Sequence, residues 1–129
     1  MPIPELINVS LWASNLSQPI SHLDDWLQGV ELVVADAAAH GADLLMLPEY
    51  ACAHWLAFAP AGITPAEEIP WMAEQAKHVL PHFSTLSARY GLAILSGTTP
   101  VAGGDGYHNQ ARLYLPDRPQ PIQQNKLCL

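Results

Sequence analysis

Glu49 stands immediately after an apolar run, Leu44-Leu45-Met46-Leu47, that ends at Pro48. A carboxylate at the carboxyl end of a buried strand lies where open α/β sheets gather their active-site groups, which makes Glu49 the first candidate for proton transfer. If apolar neighbours surround it, desolvation raises its hold on a proton, as suits a group that takes and returns one near neutrality. The plain alternative is an ordinary surface carboxylate, and position by itself does not decide between the two.

Other reactive residue types are present in weaker patterns. Cys52 lies two residues before His54, and a neighbouring imidazole can lower a thiol pKa. Proximity along a chain does not establish that geometry, so this pair is expected to be incidental. His78 and His82 have helical spacing, but Pro81 interrupts it and no third ligand is evident, so no metal is expected. The stretch from Gly97 to Gly106 is glycine-rich but lacks the strand, GxGxxG and helix context of a phosphate cradle. A hairpin is the simpler reading, and no cofactor is expected.

The elements that position Glu49 follow from the period of the apolar residues. Ile7 to Trp12 predicts a short buried strand, and Ser21 with Asp24 predicts a capping-box helix start. Leu23, Trp26, Leu27, Val30, Val34 and Ala37 recur at three- and four-residue steps, and His40-Gly41 ends that helix. Leu44 to Leu47 predicts a central strand buried on both faces. Cys52 to Gly62 has no clear period and is expected to be a loop. Thr64-Pro65-Ala66-Glu67 is a second capping box, with Pro at the first helical position. Trp71 to Arg89 predicts a helix that Pro81 should kink or divide, ended by Tyr90-Gly91. Leu92 to Ser96, Gln110 to Leu115 and Ile122 to Leu129 predict three further strands, joined by turns at Gly103-Gly104-Asp105-Gly106 and Pro116 to Pro121. The order β-α-β-α-β followed by hairpin-linked strands predicts an α/β domain with a mixed sheet.

On these elements sit four separate motifs. Gly41-Ala42-Asp43-Leu44-Leu45-Met46-Leu47-Pro48-Glu49 is similar to the glutamate motif of the nitrilase superfamily of carbon-nitrogen hydrolases, in which an apolar strand runs into Pro-Glu. Tyr90-Gly91-Leu92-Ala93-Ile94-Leu95-Ser96-Gly97 resembles that family's third strand with its glycine, and Tyr107-His108-Asn109-Gln110-Ala111 resembles the aromatic-x-Asn-x-Ala start of the next. Asn125-Lys126-Leu127 falls where the family places its catalytic lysine. The ordering of the four pieces is more specific than any one of them.

The resemblance implies the N-terminal half of an αββα sandwich and a Glu-Lys-Cys triad that hydrolyses nonpeptide carbon-nitrogen bonds of small amides or nitriles through a thioester or thioimidate. Glu49 would be its proton shuttle and Lys126 its oxyanion stabiliser; the alternative for Lys126 is a solvated strand lysine. His54 and Trp55 are expected to line the substrate pocket, because the loop after the glutamate does so in relatives; the alternative is an incidental loop pair. No nucleophilic cysteine matches in this chain. Cys128 lies two residues past Lys126, but nothing around it resembles the nucleophile's turn, and a buried structural thiol is expected there. Relatives commonly pair through outer helices, which implies a homodimer or higher oligomer for the intact form.

Composition bounds the partners. The 129 residues suit one domain, half of them hydrophobic and only 13% charged. Five Lys and Arg stand against twelve Asp and Glu, a net charge of -7, which repels nucleic acid and anionic membranes. Two cysteines make no disulfide framework, and no signal peptide or ~20-residue apolar span is evident, so a cytoplasmic protein is expected. Residues 1–129 are expected to be a partial domain lacking its C-terminal half, cut before the nucleophile and inactive alone. The competing expectation is a non-catalytic interaction module, in which Glu49 and Lys126 persist as relics or an ion pair.

Overall fold

The computed structural model describes residues 6–104 and 106–126. Its elements run β1 (Val9–Leu11), α1 (Leu23–Ala39), β2 (Leu44–Met46), a 3-10 helix (Ala51–Phe58), α2 (Pro65–Tyr90), β3 (Ala93–Gly103), β4 (Gly106–Tyr114) and β5 (Ile122–Asn125). The strands form one sheet in the order β1-β2-β3-β4-β5, with β1, β2 and β3 parallel and β4 and β5 antiparallel to their neighbours. The expected α/β class and mixed sheet are thus present.

Helix α1 buries Trp26, Val30, Val34 and Ala37, which belong to the face marked by its apolar spacing. Its start lies one residue later than expected, because Asp25 rather than Asp24 reaches back: Asp25 Oδ2 accepts from the backbone N–H of Ser21 and of His22, both at 3.0 Å. Helix α2 rules out one of the two outcomes expected at Pro81, division into two pieces. It is continuous over 26 residues, with Pro70 and Pro81 inside it. An interior proline costs roughly 3 kcal/mol. Each large apolar side chain that α2 buries, among them Met72, Val79, Leu80, Phe83 and Leu86, offsets about 1.5–3 kcal/mol of that. The buried face outweighs the missing hydrogen bonds, and the helix is not divided.

The segment expected to be a loop after Glu49 is a 3-10 helix. It is held by Trp55, whose ring meets that of Trp26 edge-on at 5.3 Å. Trp26 also contacts Trp12 at 6.4 Å and Phe83 at 6.2 Å, and Phe83 contacts Tyr114 at 5.6 Å. This aromatic chain joins α1, α2, the 3-10 helix and β4 into one core.

Both helices lie on one face of the sheet. On that face Ser10, Leu45, Ile94 and Tyr114 stand side by side in register, and Leu45 and Ile94 are fully buried. On the other face Leu11, Met46, Leu95, Leu113 and Ile122 make an apolar row across all five strands. That row is open: Leu11 is 74% exposed and Ile122 45%. Two expectations are corrected by this asymmetry. The first strand is an exposed edge, not a buried one, and β2 is fully covered only on its helix side, with Leu44 and Met46 half-buried.

β3 and β4 are longer than expected because the hairpin strands continue to Gly103 and from Gly106. Their register shifts between Leu95 and Thr98, around Gly97. Gly97 has φ +74°, and a Cβ there would collide with the Pro48 carbonyl oxygen. Gly97→Ala is therefore expected to lower the free energy of unfolding by about 2 kcal/mol or more, from left-handed backbone strain and the clash together. Urea denaturation checks it, and an unchanged midpoint would show that the close approach is dispensable.

Candidate active site

β2 stops where Pro48 enters, since proline has no N–H to continue the ladder. The preceding Leu47 N–H still donates to Leu95 O at 2.9 Å, and the Pro48 carbonyl accepts from Ala51 N–H at 3.3 Å. Tyr50 takes a left-handed conformation, φ 53°, and its N–H donates to Thr98 Oγ1 at 3.0 Å. Glu49 is thereby held in a tight turn between two anchored neighbours, at the carboxyl end of a parallel strand.

Lys126 arrives from the far end of the chain. Its N–H donates to Asn109 O at 2.8 Å, continuing the β4–β5 pairing by one residue. Next to it, Gln110 Nε2 donates to Asn125 Oδ1 at 2.9 Å. Lys126 Nζ then donates to Glu49 Oε1 at 3.0 Å, closing a contact across 77 residues of sequence. The buried Asn109 Oδ1 has no partner among the described residues, which leaves a polar atom in reserve beside this pair.

The structure brings together the carboxylate and the ammonium singled out in the sequence. Such a pair can pass a proton and stabilise a developing negative charge. Both side chains are open to solvent, Glu49 at 59% and Lys126 at 49%. The apolar enclosure considered for Glu49 is not supplied by the described residues.

His54 and Trp55 are both buried. His54 Nε2 is 2.8 Å from Gln18 O, and Trp55 is locked against Trp26. Their side chains fasten the 3-10 helix that follows Glu49 to the core. Cys52 does not pair with His54 either: its Sγ donates to Thr98 O at 3.7 Å. Burial pushes the Cys52 thiol up to about 12, a hydrogen bond offsetting little of it, so the thiolate that nucleophilic chemistry needs is suppressed. Cys128 lies outside the described residues. Among the described residues no cluster of His, Cys, Asp and Glu could hold a metal, and no helix is long and apolar enough to cross a membrane.

Thr98 was missed by the sequence reading, yet it touches the turn twice, through its hydroxyl to Tyr50 and its carbonyl to Cys52. Its position directly after the motif glycine is the only signal that could have found it.

An ion pair this exposed contributes little stability. Glu49→Gln and Lys126→Met are each expected to change the unfolding free energy by less than about 1 kcal/mol, measured by urea denaturation. A larger loss would mean that the pair serves the fold. Cys52 should resist iodoacetamide at about pH 8 in the native protein and react once it is unfolded, as read by peptide mass mapping. Because the folded thiol keeps a proton that an unfolded one loses above about 9, its contribution to stability is intact below that pH and is lost as pH rises toward 12. Rapid native labelling of Cys52 would contradict its burial.

Neither protein-family models nor curated proteins give a match to the chain. Solved structures do. The NitN amidase from Nesterenkonia sp. superposes with a TM-score of 0.67 at 19% identity, over 96% of this chain and 45% of that protein. A mutant of that amidase in complex with acrylamide gives 0.63 at 19% identity, over 100% and 47%. A carbon-nitrogen hydrolase from Helicobacter pylori gives 0.65 at 14% identity, over 95% and 40%. The chain thus spans less than half the length of the proteins it resembles. A mixed five-stranded sheet, helices on one face, and near-complete superposition of this chain give it the fold of part of a nitrilase-superfamily carbon-nitrogen hydrolase.

Proposed function

We propose that this chain supplies the glutamate and lysine of a Glu-Lys-Cys hydrolase acting on small amides or nitriles, with the nucleophilic thiol provided from outside the described residues. The observation that carries this reading is the 3.0 Å contact between Lys126 Nζ and Glu49 Oε1 at the carboxyl end of β2. Cys52 is unsuited to the third role because it is buried and protonated. The solved neighbours are consistent with such a substrate: one amidase mutant shows Michael addition of acrylamide at its active-site cysteine, and another is complexed with butyramide.

In the proposed reaction Glu49 takes the proton of the attacking thiol while sulfur bonds to the amide carbon. Lys126, as the ammonium, stabilises the oxyanion that forms. Glu49 returns the proton to the departing amine as the carbon-nitrogen bond breaks, leaving a thioester. It then deprotonates a water that releases the acid and restores the thiol. With a nitrile the first adduct is a thioimidate. A second layer packed on the open Leu11-to-Ile122 row would both complete the sandwich and enclose Glu49. In that setting His54 and Trp55 act by positioning the turn rather than by touching substrate. A cytoplasmic homodimer without nucleic-acid or membrane partners belongs to the same proposal, supported by the acidic charge and by Leu32, 72% exposed on α1.

The open apolar row favours one second reading, a non-catalytic module that uses this face to bind another protein. The two part on activity. Ammonia release from an amide and nitrile panel should be measured with the protein encoded by the longest reading frame containing this chain. Glu49→Gln and Lys126→Ala are each expected to lower kcat by roughly 100-fold or more with folding intact. Full turnover in either variant would sink the assignment, and no turnover by the unmodified protein would favour the module.

A further inference from the structure

On the helix side of the sheet, a cavity of about 660 Å³ lies between α2 and the β3–β4 hairpin. Its size falls within the roughly 300–1,000 Å³ of small-molecule sites, and neither Glu49 nor Lys126 lines it. The 119–121 turn forms another wall and is tied to α2 where Ser84 Oγ donates to Pro119 O at 3.4 Å.

Two polar side chains of β4 face this space with unused capacity. Arg112 Nε donates to Gln110 Oε1 at 2.7 Å, and Gln110 in turn donates to Asn125, so the guanidinium is held from behind. Among the described residues no carboxylate forms an ion pair with Arg112. Tyr114 is only 3% exposed, and among the described residues its buried hydroxyl makes no hydrogen bond of ordinary geometry, with the Arg112 guanidinium as its polar neighbour. A buried hydroxyl without a partner costs stability, so each such group calls for an explanation, and a bound ligand is one of them.

We propose that this cavity binds a small monocarboxylate with an apolar body, its carboxylate received by the Arg112 guanidinium and the Tyr114 hydroxyl. A guanidinium anchored through Nε presents its two terminal nitrogens in the fork that matches a carboxylate. One cation without an ion pair among the described residues at this cavity suits one negative charge. The other cation at the rim, Lys77, is already paired with Glu74 at 2.6 Å, and a chain of net charge -7 disfavours a dianion. Ala73, Ala76 and Leu80 on one side and Pro119 and Pro121 on the other supply the apolar surface for the body of the ligand. Burial pushes the Tyr114 phenol up, with Arg112 pulling against it, so the hydroxyl keeps its proton and donates.

The test is an NMR titration of the full chain with benzoate, benzamide and inorganic sulfate. Benzoate should bind saturably and shift the amides of Ala76, Leu80 and Tyr114, while benzamide and sulfate bind roughly tenfold or more weakly. Arg112→Gln should weaken benzoate by about tenfold or more, and Lys126→Ala should leave it unchanged. Tyr114→Phe carries the test if the arginine variant fails to fold: it removes a hydroxyl that makes no hydrogen bond of ordinary geometry among the described residues, so the thermal midpoint should hold or rise while benzoate affinity falls. Absence of saturable binding, equal binding of benzamide or sulfate, or unaltered affinity in Tyr114→Phe would each overturn the proposal. So would loss of benzoate in Lys126→Ala, which would place the anion at the other cation.

Discussion

Where β2 ends, the Pro48 carbonyl lies so close to the Cα of Gly97 that no side chain fits between them. Much of the candidate site depends on this approach. β2 and β3 run in parallel register through Met46 and Leu95, and then the two chains must part. Proline withdraws one donor, glycine admits the close carbonyl, and the register shift at Gly97 lets β3 go on to pair with β4. Thr98 then caps the departing turn through Tyr50, fixing the backbone on either side of Glu49. Glu49 thus stands at the carboxyl end of a parallel strand, the edge at which open α/β sheets place their chemistry.

The stability of that arrangement comes almost wholly from one face. Trp26 sits among Trp12, Trp55 and Phe83, and Val30, Val34, Val79, Leu45 and Ile94 close the space between helices and sheet. The same sheet presents its second apolar row uncovered. The sheet thus carries apolar side chains on both faces and is covered on one among the described residues, and the chain spans less than half the length of its structural neighbours.

This one-sidedness also explains why the Glu49–Lys126 pair is exposed although its backbone is well anchored. Ladder and turn hydrogen bonds aim the two residues at each other, whereas the described residues leave both side chains open to solvent. Geometry and electrostatic environment thus have separate sources. Tyr114, on the helix side, shows the opposite condition: the core elements themselves enclose it, while among the described residues its hydroxyl makes no hydrogen bond of ordinary geometry.

Local signals in the sequence determined most of the elements. The three- and four-residue spacing from Leu23 to Ala37 produced α1, the Leu44-to-Leu47 run with Pro48 produced β2 and its end, and Gly91 stopped α2, because each rests on contacts between near neighbours. The order of these elements and the Pro-Glu motif also made Glu49 a candidate. Tertiary packing alone decided the rest. Pro81 stays inside α2 because its flanks are buried against the sheet, and an aperiodic Ala-rich stretch becomes a 3-10 helix because Trp55 docks on Trp26. Lys126 meets Glu49, and Tyr114 is buried beside Arg112, only after distant strands pair. Contacts across 77 residues have no period or local propensity to announce them, since their energy exists only once the sheet has closed.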